Sequence, residues 1–205
     1  MTTKLAQRDD IKQRLDLNGS AEDALLDTMI EQASDLASQL AGRPLGREES
    51  RIEYPVASGH SDRLRLDRYP IESVASVKSI YGPGNSDDFA AADELSDGDD
   101  YIIDSAELGV LQRFYDTWRS TPRSNLVIYT AGFGDPANLP AGAIAPPGDL
   151  QHGIAQQVIR WWNTKGQAGL REIDAGEAGG RISLAETKPH PELIEACRAL
   201  RRLSL

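Results

Sequence analysis

The sequence predicts an α+β fold, with an N-terminal helical pair and C-terminal helices packed with a small, mostly antiparallel β-sheet. Three observations carry this reading. Apolar residues recur at spacings of three and four between about Ile11 and Leu40, they alternate with polar residues between about Arg47 and Ala131, and helical spacing returns from Leu150 onward. A chain of 205 residues can bury one real core or two small packed parts.

The first helix is expected in "RDDIKQRLDLNGS", with Asp9 or Asp10 as cap, Ile11 and Leu15 on one face and Asn18-Gly19 as a stop. Ser20 with Asp23 reads as a capping-box-like start of the second helix. Its stripe is Leu25, Met29, Ala33, Leu36 and Leu40, widened by Leu26, Ile30 and Ala37, and Gly42 and Pro44 end it. "RIEYPV" and "RLRLDRYP" place Ile52, Tyr54, Leu64 and Leu66 at every second position, which predicts that they share the buried face of strands. Pro70 interrupts the ladder, and Val74, Val77 and Ile80 continue it with an irregularity. Residues 86–100 read as an acidic loop. "DYIID", "GVLQRFY" and "SNLVIYTAGFG" supply three further strands, the last being the strongest in the chain.

Pro146 and Pro147 sit where a third helix begins, with Leu150, Ile154, Val158, Trp161 and Trp162 on its apolar side. The Gly-rich stretch that follows predicts a flexible arm, and Pro191 opens a last helix bearing Leu193, Cys197 and Leu200. The expected organisation is N-terminal helices at 1–46, a β-rich region at 47–135, a linker and third helix at 136–165, and an arm with a C-terminal helix at 166–205, all in one structural unit.

The formal net charge of -10 argues against nucleic-acid affinity built on phosphate neutralisation. The single cysteine, Cys197, cannot close an intrachain disulfide and reads as a small buried hydrophobe. The N-terminal stretch has no apolar run, so neither a signal peptide nor a membrane span is expected, and a cytosolic protein is.

Candidate chemistry is sparse. Read as a calcium loop from Asp93, the acidic stretch supplies Asp97 and Gly98, but puts Leu95 at the third position and Asp104 at the twelfth, where Glu is wanted. His60, His152 and His190 lack zinc-ligand spacing. There is no G-x-S-x-G elbow, and "AGFG" precedes "DPANLP" instead of a helix, so a dinucleotide fingerprint lacks its context. Trp161 and Trp162 divide between core packing and an interface. "RALRRL" either complements a helix C-terminus or forms a basic docking patch. The expectation is no catalytic residue, no metal and no cofactor.

Taken in order, several segments carry a resemblance. "DIKQRLDLNGSAEDALLDTMIEQASDLASQLAGRPL", with Lys12, Leu15, Asp23, Ile30, Ala33, Gly42, Arg43 and Leu45, resembles the opening of the head-tail connector (adaptor, head-completion) proteins of tailed bacteriophages. "LRLDRYPIESVASV", with Leu66, Pro70, Ile71, Ser73 and Val74, resembles a strand segment of that family. "YIIDSAELGVLQR", "NLVIYTAGF" and "PPGDLQHGIAQQVIRWW" are similar to later family segments, so the resemblance spans about residues 5–165.

The resemblance implies a non-enzymatic virion protein assembled in the host cytoplasm. It would form a ring of twelve neighbouring copies under the portal protein, extend the DNA channel without specific DNA binding, and join the head to the next connector or tail protein. An acidic ring would let DNA slide, and a Gly-rich arm could order on assembly. The expected portal or subunit contacts are Trp162, Ile182, Leu184, Leu193, Arg198, Leu200 and Arg201. The competing readings are another tail-interface protein, a stopper or tail terminator, and a small metal-binding or hydrolytic module acting through His152 or Asp97.

Overall fold

Helical spacing in the two terminal regions and alternation between them are realised as two compact units, Met1–Gly42 with Pro146–Leu205, and Arg43–Ala145. The structure, a computed structural model, describes residues 3–164, 172–175, 180–183 and 188–201. The α+β class holds.

The helical unit contains α1 (Arg8–Arg14), α2 (Asp23–Ala41), α4 (Gly148–Thr164) and α5 (Pro191–Ala199), together with the strands β7 (Glu172–Ala175) and β8 (Gly180–Ser183), which pair antiparallel. The predicted flexible arm therefore includes a hairpin. Residues 165–171, 176–179 and 184–187, the rest of that expectation, lie outside the described residues. α2 buries Leu26, Ile30, Ala33, Ser34, Ala37 and Ala41. Leu25, placed on the inner stripe by the sequence, is 40% exposed. The buried stripe joins Ala33 of the predicted one to Leu26, Ile30 and Ala37, which the sequence treats as its widening, with Ser34 and Ala41 added, and α4 and α5 pack against this helix. α4 answers with Leu150, Ile154 and Val158, spaced four apart and fully buried, and α5 with Leu193, Ala196 and Cys197.

The helix starts differ from those predicted. Gln7, not Asp9 or Asp10, is the N-cap of α1, and Glu22, not Ser20, that of α2, and neither makes a side-chain cap bond. Positive charge holds the α1–α2 turn instead. Lys12 Nζ lies 2.7 Å from Asp23 Oδ1 and also donates to the Gly19 carbonyl, while Arg8 and Lys4 reach Asp27 at 3.1 and 3.0 Å.

The β unit contains β1 (Glu48–Glu53), β2 (Arg63–Arg65), β3 (Ile71–Ser79), α3 (Ser86–Ala91), β4 (Tyr101–Ser105), β5 (Val110–Arg113) and β6 (Asn125–Ala131). In place of one sheet there are two antiparallel sheets of three strands, ordered β1-β6-β3 and β2-β5-β4. They share one core: Leu64, Leu66, Tyr101 and Leu111 come from one sheet, Ile71, Val77, Val127, Tyr129 and Ala131 from the other, and Ala57 and Trp118 join them from connections. β6, the strongest predicted strand, is the central one, and five of its seven residues are buried.

β1 reverses the expected face. Ile52 is 59% exposed and Glu53 is buried, because the register shifts between Glu48 and Arg51 around Ser50, whose φ is +48°. One extra residue in a strand sends every later side chain to the opposite face. The irregularity expected in β3 is present as two register shifts, between Ile71 and Ser73 and between Val74 and Ser76. Part of the expected acidic loop is α3, opened by a capping box in which Asn85 accepts from Asp87 N and Asp88 N and the Asp88 carboxylate accepts from Asn85 N. Its Phe89 is 3% exposed and packs against Tyr54.

Candidate assembly surfaces

Side chains that look chemically able in the β unit are taken up by its own construction. Arg47, just before β1, donates from Nε and Nη2 to both carboxylate oxygens of Glu72 on β3, at 2.6 and 3.0 Å, and so fastens the two edge strands across the end of β6. These bonds hold the Glu72 carboxyl below its ordinary range.

The corner between β2 and β3, "DRYP", is fixed from beneath. Glu53 accepts from the Tyr129 hydroxyl and from Asp67 N at 3.0 Å; Arg68 reaches Glu48 at 2.8 Å; and Arg51 reaches Glu48 at 2.9 Å. Burial pushes the Glu53 carboxyl up, with the Tyr129 hydrogen bond opposing, and burial with the Glu53 contact pushes the Tyr129 hydroxyl up. Arg43, 6% exposed, lies with its guanidinium 3.6 Å from the centroid of the Tyr69 ring and donates to the Tyr69 carbonyl. These groups bind chiefly to one another, an arrangement suited to a rigid scaffold, although the Nε atoms of Arg51 and Arg68 are buried without a hydrogen-bond partner.

In the helical unit, His152 on α4 joins two other helices. Its Nδ1 lies 3.0 Å from Arg14 Nη1 on α1, and its Nε2 lies 3.0 Å from Glu192 Oε2 on α5. His190 caps α5 by accepting from Glu192 N at 3.4 Å, and Gln157, buried within α4, accepts from His190 N at 2.6 Å. His60 is exposed in a connection of the β unit. Among the described residues no group of three or more His, Cys, Asp or Glu side chains is placed to hold a metal ion. Asp93, Asp97 and Asp104 are not gathered into a coordinating set. No described helix is long and apolar enough to cross a membrane.

The residues expected at an interface are spread out. Leu193 is fully buried within its own unit, and Gly153 of α4 is what brings that helix so near: a Cβ there would lie 2.8 Å from Leu193 Cα. Trp162 and Leu200 are half-buried. Arg198 is exposed and reaches Glu195 at 2.8 Å, and Arg201 donates from Nε to the Leu40 carbonyl at 3.2 Å, near the C-terminus of α2. The basic end of α5 thus complements another helix's terminus as well as its own. Ile182 lies on β8 opposite Ile173, and Leu184 is outside the described residues. Cys197 is buried, and burial pushes its thiol up to about 11.

Sequence reasoning passed over the exposed aromatics of the β unit. Tyr81 is 86% exposed beneath the guanidinium of Arg119, and Tyr115 is 93% exposed beside Phe114. They follow β3 and β5, and the signal available was an aromatic residue sitting in a turn next to glycine or a charge. Large exposed aromatics with arginine are the composition found at the energetic centres of protein interfaces.

No protein-family model and no curated protein matches the chain. Solved structures do. A chain from the neck of an empty gene transfer agent particle, computed with C6 symmetry, matches with a TM-score of 0.55 at 16% identity, over 96% of this chain and 89% of that one. A chain from the neck of the native particle, computed with C12 symmetry, matches with a TM-score of 0.53 at 15% identity, over 96% and 88%. A chain from the virion of the native gene transfer agent particle gives 0.51 at 16% identity, over 100% and 94%. At such identities the likeness is one of fold.

Proposed function

We propose that this chain is a structural protein of the neck of a phage-like particle, and more narrowly a head-tail connector. In this reading it forms a ring of twelve copies under the portal, extends the DNA channel and receives the next connector or tail protein. The observation that carries the reading is the agreement of fold over nearly the whole chain with chains of particle necks computed with sixfold and twelvefold symmetry. The order of elements adds support, since over residues 5–165 it is the one the adaptor resemblance implies: helical pair, β region and proline-led helix.

Three features of the chain fit the role. Its side-chain networks are structural, its net charge of -10 suits a channel wall past which DNA slides, and its exposed aromatics offer contact points to neighbours. The expected contacts through Trp162, Ile182, Leu184, Leu193, Arg198, Leu200 and Arg201 are retained as part of the proposal. With Leu193 committed to its own unit, Arg198 and Trp162 are the described members best placed to meet a partner.

The test is the mass of the purified protein alone and after mixing with a portal ring, by light scattering with negative-stain imaging. A stoichiometric collar on the portal, weakened by Arg198→Glu, which alters an exposed side chain without uncovering the core, is the expected result. No association at any salt concentration would overturn the connector role and move the chain lower in the neck or tail.

A further inference from the structure

One imidazole links three helices of the helical unit, and its bonds are defined for one protonation state. Arg14 is a donor only, so the His152 Nδ1 that faces it at 3.0 Å must accept. The proton of a neutral imidazole then sits on Nε2 and is donated to the Glu192 carboxylate 3.0 Å away. We propose that His152 is a pH-sensitive fastener that ties the last turn of α1 to α4 and α5 when neutral and releases α1 when protonated.

Protonation puts a hydrogen on Nδ1, so two donors and two positive charges then face each other across the α1–α4 contact. The α4–α5 side gains instead, because Glu192 meets a cation. The charged and titratable groups around the ring are Arg14 and, lining the same cleft, Asp10 from α1, and Glu192 from α5, whose Oε2 also lies 4.0 Å from Nδ1 of His190, the residue before α5. From α4, the side-chain amide of Gln156 lies 3.4 Å from Nε2; with the ring proton there, the amide turns its oxygen toward the ring, and at that distance it does not displace the carboxylate.

Room for the release exists. A cleft of about 240 Å³ lies between α1 and α4, lined by Gln7, Asp10, Arg14, Gln151 and His152 among others, into which the freed guanidinium can swing. α1 would not detach altogether, because Lys12 and Arg8 still hold it to α2 through Asp23 and Asp27. The motion is a loosening of its C-terminal turn, where Leu15 N bonds to Ile11 O and Leu17 N to Lys12 O.

Two measurements on the full chain test this. Long-range proton–nitrogen NMR at pH 8 should report His152 with its proton on Nε2; a proton on Nδ1 would overturn the proposal. Amide hydrogen exchange, expressed as protection factors, should show Leu15 and Leu17 losing protection by roughly threefold to tenfold between pH 7.5 and pH 5.5, the effect of one hydrogen bond. His152→Gln should abolish that pH dependence, and Arg14→Met should give the low-pH protection at both values. His190→Asn, which preserves a capping side chain for α5, should behave as the unaltered protein. Equal protection at both pH values in the unaltered protein, or a loss that persists in His152→Gln, would refute the fastener.

Discussion

Replacing Gly153 by alanine should undock the last helix. Within a helix, alanine is favoured over glycine by about 1 kcal/mol, so an isolated α4 would gain from the change. Against that, the new Cβ would lie 2.8 Å from Leu193 Cα, 3.1 Å from Leu193 N and 3.2 Å from Glu192 O. All three atoms belong to the backbone of the first turn of α5, so relief requires the helix to move, taking Leu193, Ala196 and Cys197 out of their packing. Overpacking costs about 1–3 kcal/mol, and a backbone obstacle puts this case near the upper end. The net effect is about 2 kcal/mol of destabilisation of the α4–α5 contact, or roughly a 30-fold rise in the undocked fraction. Cys197, the single cysteine, reports it directly: it is 1% exposed, and burial pushes its thiol up to about 11. The rate of its modification by a thiol reagent at pH 8 should rise roughly 30-fold in Gly153→Ala. Gly148→Ala, where an added Cβ meets nothing within 4 Å, should leave the rate unchanged. Unaltered labelling of Gly153→Ala together with a higher melting temperature would show that the helices do not meet as described.

Four further outcomes are expected. Gly132→Ala places a side chain at φ +100° and against the Gly46 backbone carbonyl, so it should cost at least about 3 kcal/mol in denaturant unfolding followed by tryptophan fluorescence; near-neutral stability would contradict the close approach of those two segments. Tyr129→Phe removes the hydroxyl donor of the buried Glu53 carboxylate and should lower stability at pH 7 by about 1–3 kcal/mol. Since burial raises the Glu53 pKa, its contribution is present below the unfolded value near 4.5 and lost as pH rises through the folded one; Glu53→Gln should remove that decline from a plot of stability against pH. Asp23 is shifted the other way by its Lys12 hydrogen bond, so its contribution is present above the ordinary 3.8 and lost as pH falls through the folded value; Lys12→Met should move acid unfolding, followed by circular dichroism, to higher pH, and an unmoved midpoint would assign the shift elsewhere.

Periodicity revealed the elements more reliably than their faces. β6 was legible because a run buried on both sides has no alternation to lose, and α4 because Leu150, Ile154 and Val158 keep one spacing over its first three turns. β1 was misread because a bulge at Ser50 is written in backbone geometry, and serine carries no strong signal for it. The α2 stripe was legible in part: its spacing marks Leu26, Ile30, Ala33 and Ala37, which are buried, whereas hydrophobic size also draws in Leu25, which is 40% exposed. That two sheets share the core follows from pairings distant in sequence, such as β1 with β6, which no local pattern encodes. Of the candidate surface, the basic residues of α5 were legible by charge. The carbonyl that Arg201 meets and the convergence of Arg14, His152 and Glu192 depend on tertiary placement alone.

The helical unit is made of two chain segments with a whole folded unit between them. During synthesis, Arg43–Ala145 is a continuous stretch whose strands all find their partners within it, so it can fold as soon as it has emerged. α1 and α2 emerge earlier but must wait, with Leu26, Ile30 and Ala37 uncovered, until α4 and α5 have been made. Two helices made before the β unit are thus buried after it, and a ribosome that stalls between the β unit and α4 holds a finished β unit behind a pair of helices whose apolar faces are still open.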